Sequence, residues 1–128
     1  MLENSRAFSG FAVDDVAKAR EFYGDTLGLK VSKQGEELQL ELAGDRPTFI
    51  YPKPDFTPAT YTILNFPVDD IDATVEELTS RGVTFERYDG FDQDEKGVSS
   101  GGPGPRIAWF KDPAGNILSV LEADPTAS

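Results

Sequence analysis

Residues 11–23 read FAVDDVAKAREFY, and residues 66–78 read FPVDDIDATVEEL. At a fixed offset of 55 the two stretches share five identities in thirteen positions: Phe11/Phe66, Val13/Val68, Asp14/Asp69, Asp15/Asp70 and Glu21/Glu76. Val16/Ile71 and Tyr23/Leu78 keep apolar character. One residue then drops out, and GLKV (28–31) aligns with GVTF (82–85). A repeat of about 55–60 residues is longer than the unit of a solenoid array. It implies one supersecondary module used twice, hence a pseudo-twofold domain with a groove between its halves.

The elements around the repeat follow from local chemistry. AFSGFAV (7–13) is short and apolar-rich and reads as a strand. Asp14 or Asp15 then caps a helix whose apolar face is Val16, Ala19, Phe22, Tyr23 and Leu27. Gly28 stands where a helix-ending glycine belongs. LKVSKQ (29–34) and ELQLELA (37–43) are strands around a turn at Gly35. Leu38, Leu40 and Leu42 alternate with Gln39 and Glu41, the period of a two-faced sheet. TFIY (48–51) is a fourth strand, so the order is βαβββ.

The proline-rich PKPDFTPA (52–59) cannot sit inside a helix or sheet and reads as a semi-rigid connector. The second module repeats the order. YTILNFPV (61–68) is a strand, and Asp69 or Asp70 caps a helix with Ile71, Val75 and Leu78 on one face, ended by Gly82. VTFERY (83–88), RIAWFK (106–111) and NILSVLE (116–122) are strands, the last two joined by the turn DPAG (112–115). Between them lie seventeen residues, DGFDQDEKGVSSGGPGP (89–105), with five glycines and two prolines. A loop of that length is usually functional or disordered; a mobile lid over the groove is preferred here to a disordered surface loop. The domain thus divides into module one (about 7–51), the linker (52–59), module two (about 60–122) and a flexible tail (123–128).

Composition bounds the function. The 128 residues suffice for one domain with a real core. No apolar run approaches the ~20 residues of a membrane span, and MLENSRAF shows no signal-peptide pattern, so the expected location is cytoplasmic. Net charge is −11, from 23 acidic and 12 basic residues. That excludes a phosphate-backbone partner, which needs clustered Lys and Arg. It would steer cationic small molecules inward, although a solubilising or salt-adapted surface is the plainer account. Cysteine and histidine are both absent, which removes disulfides, thiolate nucleophiles and imidazole or thiolate metal ligands together.

The tandem βαβββ order, FYGDTLGL (22–29) and WFKDPAGNILSVLE (109–122) together resemble the vicinal oxygen chelate superfamily, the group of glyoxalase I, extradiol dioxygenases, and fosfomycin and bleomycin resistance proteins. The resemblance covers residues 7–122. It implies an α+β, glyoxalase-like fold of two cupped mixed sheets with the helices packed outside, closing a cavity within the chain or across a homodimer. Such a fold hosts many chemistries and names none.

Metal-using members of the superfamily hold a divalent ion through one side chain on the first and fourth strands of each module. Counted from the motifs, those places fall on Phe8, on Ile50 or Tyr51, on Ile63 and on Ser119. Phe8, Ile50 and Ile63 have no donor atom, Ser119 is a weak neutral ligand and Tyr51 would need deprotonating. The expectation is therefore no metal and no cofactor. The acidic groups Asp69/Asp70/Asp72 and Asp89/Asp92/Asp94/Glu95 read as helix caps and a solvated loop rather than calcium sites. GGPGP (101–105) lacks the setting of a phosphate loop.

The candidate ligand pocket is Phe8, Gly10, Ile50, Tyr51, Ile63, Asn65, Arg106, Trp109 and Ser119. Asn65 and Ser119 supply hydrogen bonds in an apolar wall that includes Ile117. Trp109, the only Trp, either stacks on a flat ligand or fills core. Arg106 and Lys111 either face an anionic ligand or form surface ion pairs. The expected function is metal-free, bleomycin-resistance-like sequestration of a small ligand, cationic by the charge argument, with no nucleic-acid or membrane partner. The alternative is a cofactor-independent lyase or isomerase on a small carbonyl compound, with Glu41 as the candidate base. A metal-dependent glyoxalase-like lyase or dioxygenase is disfavoured by the missing ligands.

Overall fold

The computed structural model describes residues 1–100 and 104–123. The chain forms two compact units, Met1–Pro58 and Ala59–Ser128. Among the described residues no helix is long and apolar enough to cross a membrane.

In the first unit β1 (Ser9–Val13) runs into α1 (Val16–Arg20). Of the two candidate caps, Asp15 is the one used: its backbone is extended and its carboxylate accepts from the Lys18 amide at 3.1 Å. The helix then widens into a π-helical turn over Glu21–Thr26, closed by Leu27 N–H to Phe22 C=O at 2.9 Å. This turn rolls Tyr23 into the core, where its ring meets Phe11 at 5.7 Å and Phe22 at 5.3 Å. Gly28, at φ 74°, lets the chain reverse. β2 (Lys30–Gln34), β3 (Glu37–Leu42) and β4 (Arg46–Pro52) follow. The sheet order is β1-β4-β3-β2, with β1 parallel to β4 and the other pairs antiparallel. α1 lies against β3 and β4, and Val13, Leu38, Leu40 and Ile50 are buried on that side.

The second unit carries β5 (Thr62–Val68), α2 (Ile71–Ser80), β6 (Ile107–Lys111) and β7 (Ile117–Glu122) in the mixed order β5-β7-β6. Asp70 caps α2 by accepting from the Ala73 amide at 3.0 Å. Ile71, Val75 and Leu78 are buried, and each is worth about 1.5–3 kcal/mol of transfer free energy. α2 lies against β7, and Ala108, Phe110, Leu118 and Val120 fill the buried side of the sheet. In the DPAGN turn Asp112 accepts from the Asn116 backbone amide at 2.9 Å and its side-chain amide at 3.1 Å. Both residues are buried.

Residues 83–88 are not the strand their sequence suggests. Their backbone pairing with β6 among the described residues is an isolated bridge, Phe85 to Phe110, and one bond, Glu86 N–H to Trp109 C=O at 2.7 Å. The Gln93 side chain explains this: it accepts from Tyr88 N–H at 2.8 Å and donates to the carbonyls of Glu86 at 2.9 Å and Gly97 at 2.8 Å. Backbone groups that a strand ladder would use are taken by a loop amide.

The loop expected over 89–105 is anchored to this unit through residues 97–99, which are buried, while residues 89–92 and 94–96 are exposed. Asp94 accepts from the Lys96 and Val98 amides at 2.9 Å each. Val98 and Ser99 are buried, and Ser99 bonds Ile107 in both directions at 2.8 and 3.1 Å. Gly97, at φ 93°, sits in left-handed backbone that disfavours a side chain, and a Cβ there would lie tightly, 3.1 Å from that of Phe85. Residues 101–103, most of the GGPGP stretch, and 124–128 of the expected tail lie outside the described residues.

Candidate functional site

Successive side chains of a strand point to opposite faces, so the buried residues against each helix define a second, outer face on each sheet. In the second unit that face carries one hydrogen-bonded row. Asn65 on β5 pairs with Ser119 on β7, and Ser119 pairs with Trp109 on β6. Ser119 is fully buried and donates its hydroxyl to Asn65 Oδ1 at 2.5 Å. Asn65 is exposed and Trp109 half-buried. The Trp109 ring meets Tyr88 (5.5 Å, 76°) and Phe91 (5.1 Å, 64°) edge to face. Flanking rows are Pro67–Leu121–Ile107 on one side and Thr62–Ile117–Lys111 on the other.

Asn65, Ser119, Trp109 and Ile117 are thus brought together. Ile63 is not placed as strict alternation requires. The β5–β7 register slips between Thr62 and Leu64, so Thr62 rather than Ile63 stands opposite Ile117.

Arg106 is committed elsewhere. Its two terminal nitrogens donate to the two carboxylate oxygens of Asp72 on α2 at 3.0 Å each, with Glu122 at 3.7 Å. The Asp72 hydrogen bonds hold the Arg106 guanidinium above its usual range, and Arg106 in turn holds the Asp72 carboxyl below its own. Arg106 therefore belongs to the helix side of the sheet and not to the outer face. Lys111 keeps to the outer face but pairs with Glu86 at 3.5 Å.

In the first unit the outer face carries the row Gly10–Phe49–Gln39–Ser32. Phe8 is 63% exposed and meets Phe49 edge to face at 4.9 Å. Tyr51 lies on the same face, two residues beyond Phe49. A side chain at Gly10 would come 3.4 Å from the Phe49 carbonyl and 3.9 Å from the Tyr51 ring. Ile50 is corrected: it is fully buried on the helix side, opposite Phe11 and Leu38. Glu41 is exposed and paired with Lys30 at 3.2 Å.

Three residues escaped the sequence reading: Phe49, Tyr88 and Phe91. The repeat itself held the clue to the first. Gly10 and Asn65 are 55 residues apart, and as Asn65 pairs with Ser119, Gly10 pairs with Phe49. Phe49, rather than Ile50 or Tyr51, is the counterpart of Ser119.

The four positions at which the resemblance would place metal ligands are then Phe8, Phe49, Ile63 and Ser119. Three have no donor atom, and the hydroxyl of the fourth is engaged by Asn65. The residues present do not fit a divalent ion. Among the described residues no group of three or more His, Cys, Asp or Glu is placed to hold one. The acidic clusters have other partners: Asp70 caps α2, Asp72 holds Arg106, and Asp94 closes its own turn.

A groove of about 1160 Å³ lies on the helix side of the first sheet between α1 and the β2–β3 hairpin. It is open and lined by the acids Asp14, Asp15, Glu21, Asp25 and Glu36 together with Arg20 and Lys33.

The model of the Glyoxalase/Bleomycin resistance protein/Dioxygenase superfamily matches residues 7–120. The uncharacterized protein YraH of Bacillus subtilis (strain 168) is 29% identical over 125 residues, covering 86% of this chain and 91% of that protein. Among solved structures, TnmS3, an antibiotic binding protein from Streptomyces sp. CB03234, superposes with a TM-score of 0.65 at 27% identity. That match covers 92% of this chain and 96% of TnmS3. The fosfomycin resistance protein FosX of Listeria monocytogenes shares the fold, with a TM-score of 0.68 at 16% identity over 93% of each chain.

Proposed function

We propose, from the premise that this chain belongs to the Glyoxalase/Bleomycin resistance protein/Dioxygenase superfamily, that it binds a small molecule without a metal and releases it unchanged, acting as a homodimer. The observation that carries this reading is the Asn65–Ser119 pair beside Trp109. At a place where metal-using relatives would present a ligand, this chain presents a neutral hydrogen-bonding group bordered by an indole ring and the apolar row Pro67–Leu121–Ile107. That is the make-up of a small-molecule site. The likeness to an antibiotic binding protein supports sequestration over turnover, and the net charge of −11 favours a ligand with cationic character.

The alternative, a cofactor-independent lyase or isomerase acting on a small carbonyl compound, needs a general base within reach of the substrate. Glu41, the candidate, is exposed and paired with Lys30, so no observation favours that reading.

Native mass spectrometry after exposure to a small-molecule library, with and without EDTA, tests the proposal. The expected result is a dimer that retains one class of compound in both conditions and releases it at its original mass. A released mass differing from the one added would make the protein an enzyme. A stoichiometric divalent ion, removed by EDTA together with the ligand, would overturn metal independence.

A further inference from the structure

We propose that Asn65 is a donor-only anchor, held in that state by Ser119, and that the ligand meets it with an acceptor oxygen of the carbonyl class borne on a flat ring. The inference rests on the binding role proposed above and adds the chemistry of the ligand.

A free asparagine amide offers both an acceptor and two donors and reads either kind of group. Here the ambiguity is removed. Ser119 is fully buried, stands directly opposite Asn65 and donates to its carbonyl at 2.5 Å. A buried hydroxyl that loses its partner costs about 1–3 kcal/mol, so Ser119 keeps the Asn65 carbonyl engaged. What Asn65 presents outward is its NH₂ group, which has no hydrogen-bond partner among the described residues.

The rest of the face agrees. In the flanking row Lys111 is a cation, the nearby carboxylate of Glu86 is engaged with it at 3.5 Å, and Thr62 adds a hydroxyl on the far side of Ile117. Within the row Asn65–Ser119–Trp109 the one side-chain carbonyl is engaged by Ser119 and the indole only donates, so the row itself offers no acceptor to an ammonium or a hydroxyl donor. The overall negative charge draws cations toward the molecule, but this row selects acceptors. Adjacent strands lie about 4.8 Å apart, and Trp109 is two strands from Asn65 along the row. The amide and the indole are therefore separated by on the order of 10 Å at the backbone, the span of a fused bicyclic ring with a carbonyl substituent. The apolar row Pro67–Leu121–Ile107 borders that span.

Two probes sharing one ring test this in the full chain: 2-acetylnaphthalene, which only accepts, and 2-(aminomethyl)naphthalene, an ammonium donor at pH 7. The readout is ¹H–¹⁵N NMR. The chain has three Asn and one Trp, so the Asn65 side-chain pair is assigned by its loss in Asn65→Asp, and Trp109 has the only indole signal. In the wild type the ketone shifts both signals and binds about tenfold tighter than the ammonium, the size of one hydrogen bond. Asn65→Asp reverses that order, Ser119→Ala reduces the preference about threefold or more, and Ser119→Thr restores it. A merely structural role for the pair would change both probes alike. Equal binding of the two probes by the wild type, or a ketone preference that survives in Asn65→Asp, overturns the donor-only anchor and leaves small-molecule binding standing. No shift at Asn65 or Trp109 with either probe at millimolar concentration removes this face as a site, and the reading it rests on with it.

Discussion

Arg106 grips Asp72 with two parallel N–H···O bonds of 3.0 Å each, fastening the entry to β6 onto the first turn of α2. Lys96 joins the pair, 3.8 Å from Asp72 and 2.8 Å from Glu76. The carboxyl of Asp72 is lowered first by the Arg106 hydrogen bonds, with burial opposing and the charges of Arg106 and Lys96 assisting. A depressed carboxyl stabilises the fold above its unfolded value of about 4 and loses that contribution as pH falls through its folded value. The advantage of wild type over Asp72→Asn in urea unfolding is therefore expected to be full at pH 7 and to shrink as the pH falls below about 4. It should also fall in 0.5 M salt. A gap that widens with acidity would sink the argument.

The buried Asp112–Asn116 turn is expected to be a point of high sensitivity. Asp112 holds two N–H groups of Asn116, and the Asn116 carbonyl accepts from the Asp112 amide at 3.0 Å. Asp112→Ala leaves buried donors without acceptors and should cost about 2–4 kcal/mol. Asn116→Ala should cost a similar amount, and the double variant less than the sum, because the two share the same bonds. Denaturant titration of the four proteins checks both size and coupling.

Gln93 ties residues 86–97 together, and the two ends of its amide make separable predictions. Gln93→Ala strands the Tyr88 amide and the carbonyls of Glu86 and Gly97, for about 1–3 kcal/mol. Gln93→Glu keeps an acceptor for Tyr88 but turns a carboxylate oxygen toward two carbonyls, so it should be the more destabilising of the two. Hydrogen exchange at the Tyr88 amide separates them: fast in the alanine variant, still protected in the glutamate variant. Equal protection in both would mean that the amide is not held through Gln93.

What the sequence revealed of this architecture was what short-range chemistry encodes. Asp15 and Asp70 cap, Gly28 and Gly82 take left-handed backbone, and Leu38, Leu40 and Leu42 alternate because each feature depends on residues a few positions away. The misreadings come from side-chain pairings that no local pattern announces. Arg106 pairs with a residue 34 positions back, and residues 83–88 lose their strand to a glutamine side chain. Ile50 and Tyr51 were read in place of Phe49 because β4 carries no motif from which to count. Asn65 and Ser119 were each legible as polar points of one wall, through the strand period and the DPAGN turn, but not as a directly paired couple. The direction of the hydrogen bond between them was not, since it depends on the burial of Ser119.

Tyr88 presents the opposite case, a polar atom whose removal should help. Its hydroxyl is buried without a hydrogen-bond partner while its ring packs on Phe91 and Trp109. Desolvating a hydroxyl without compensation costs about 1–3 kcal/mol, so Tyr88→Phe keeps the packing and is expected to stabilise the free protein by about 1–2 kcal/mol. Burial first, and the Glu86 charge second, push the Tyr88 phenol above its usual value. A group with a raised folded value contributes stability below its unfolded value of about 10 and loses it as pH rises through the folded one. The gain from Tyr88→Phe should thus be steady near neutrality and widen above about pH 10. A loss of stability at pH 7 would instead show that the hydroxyl finds a partner in solution, and a gain that shrinks at alkaline pH would contradict the buried, proton-retaining phenol.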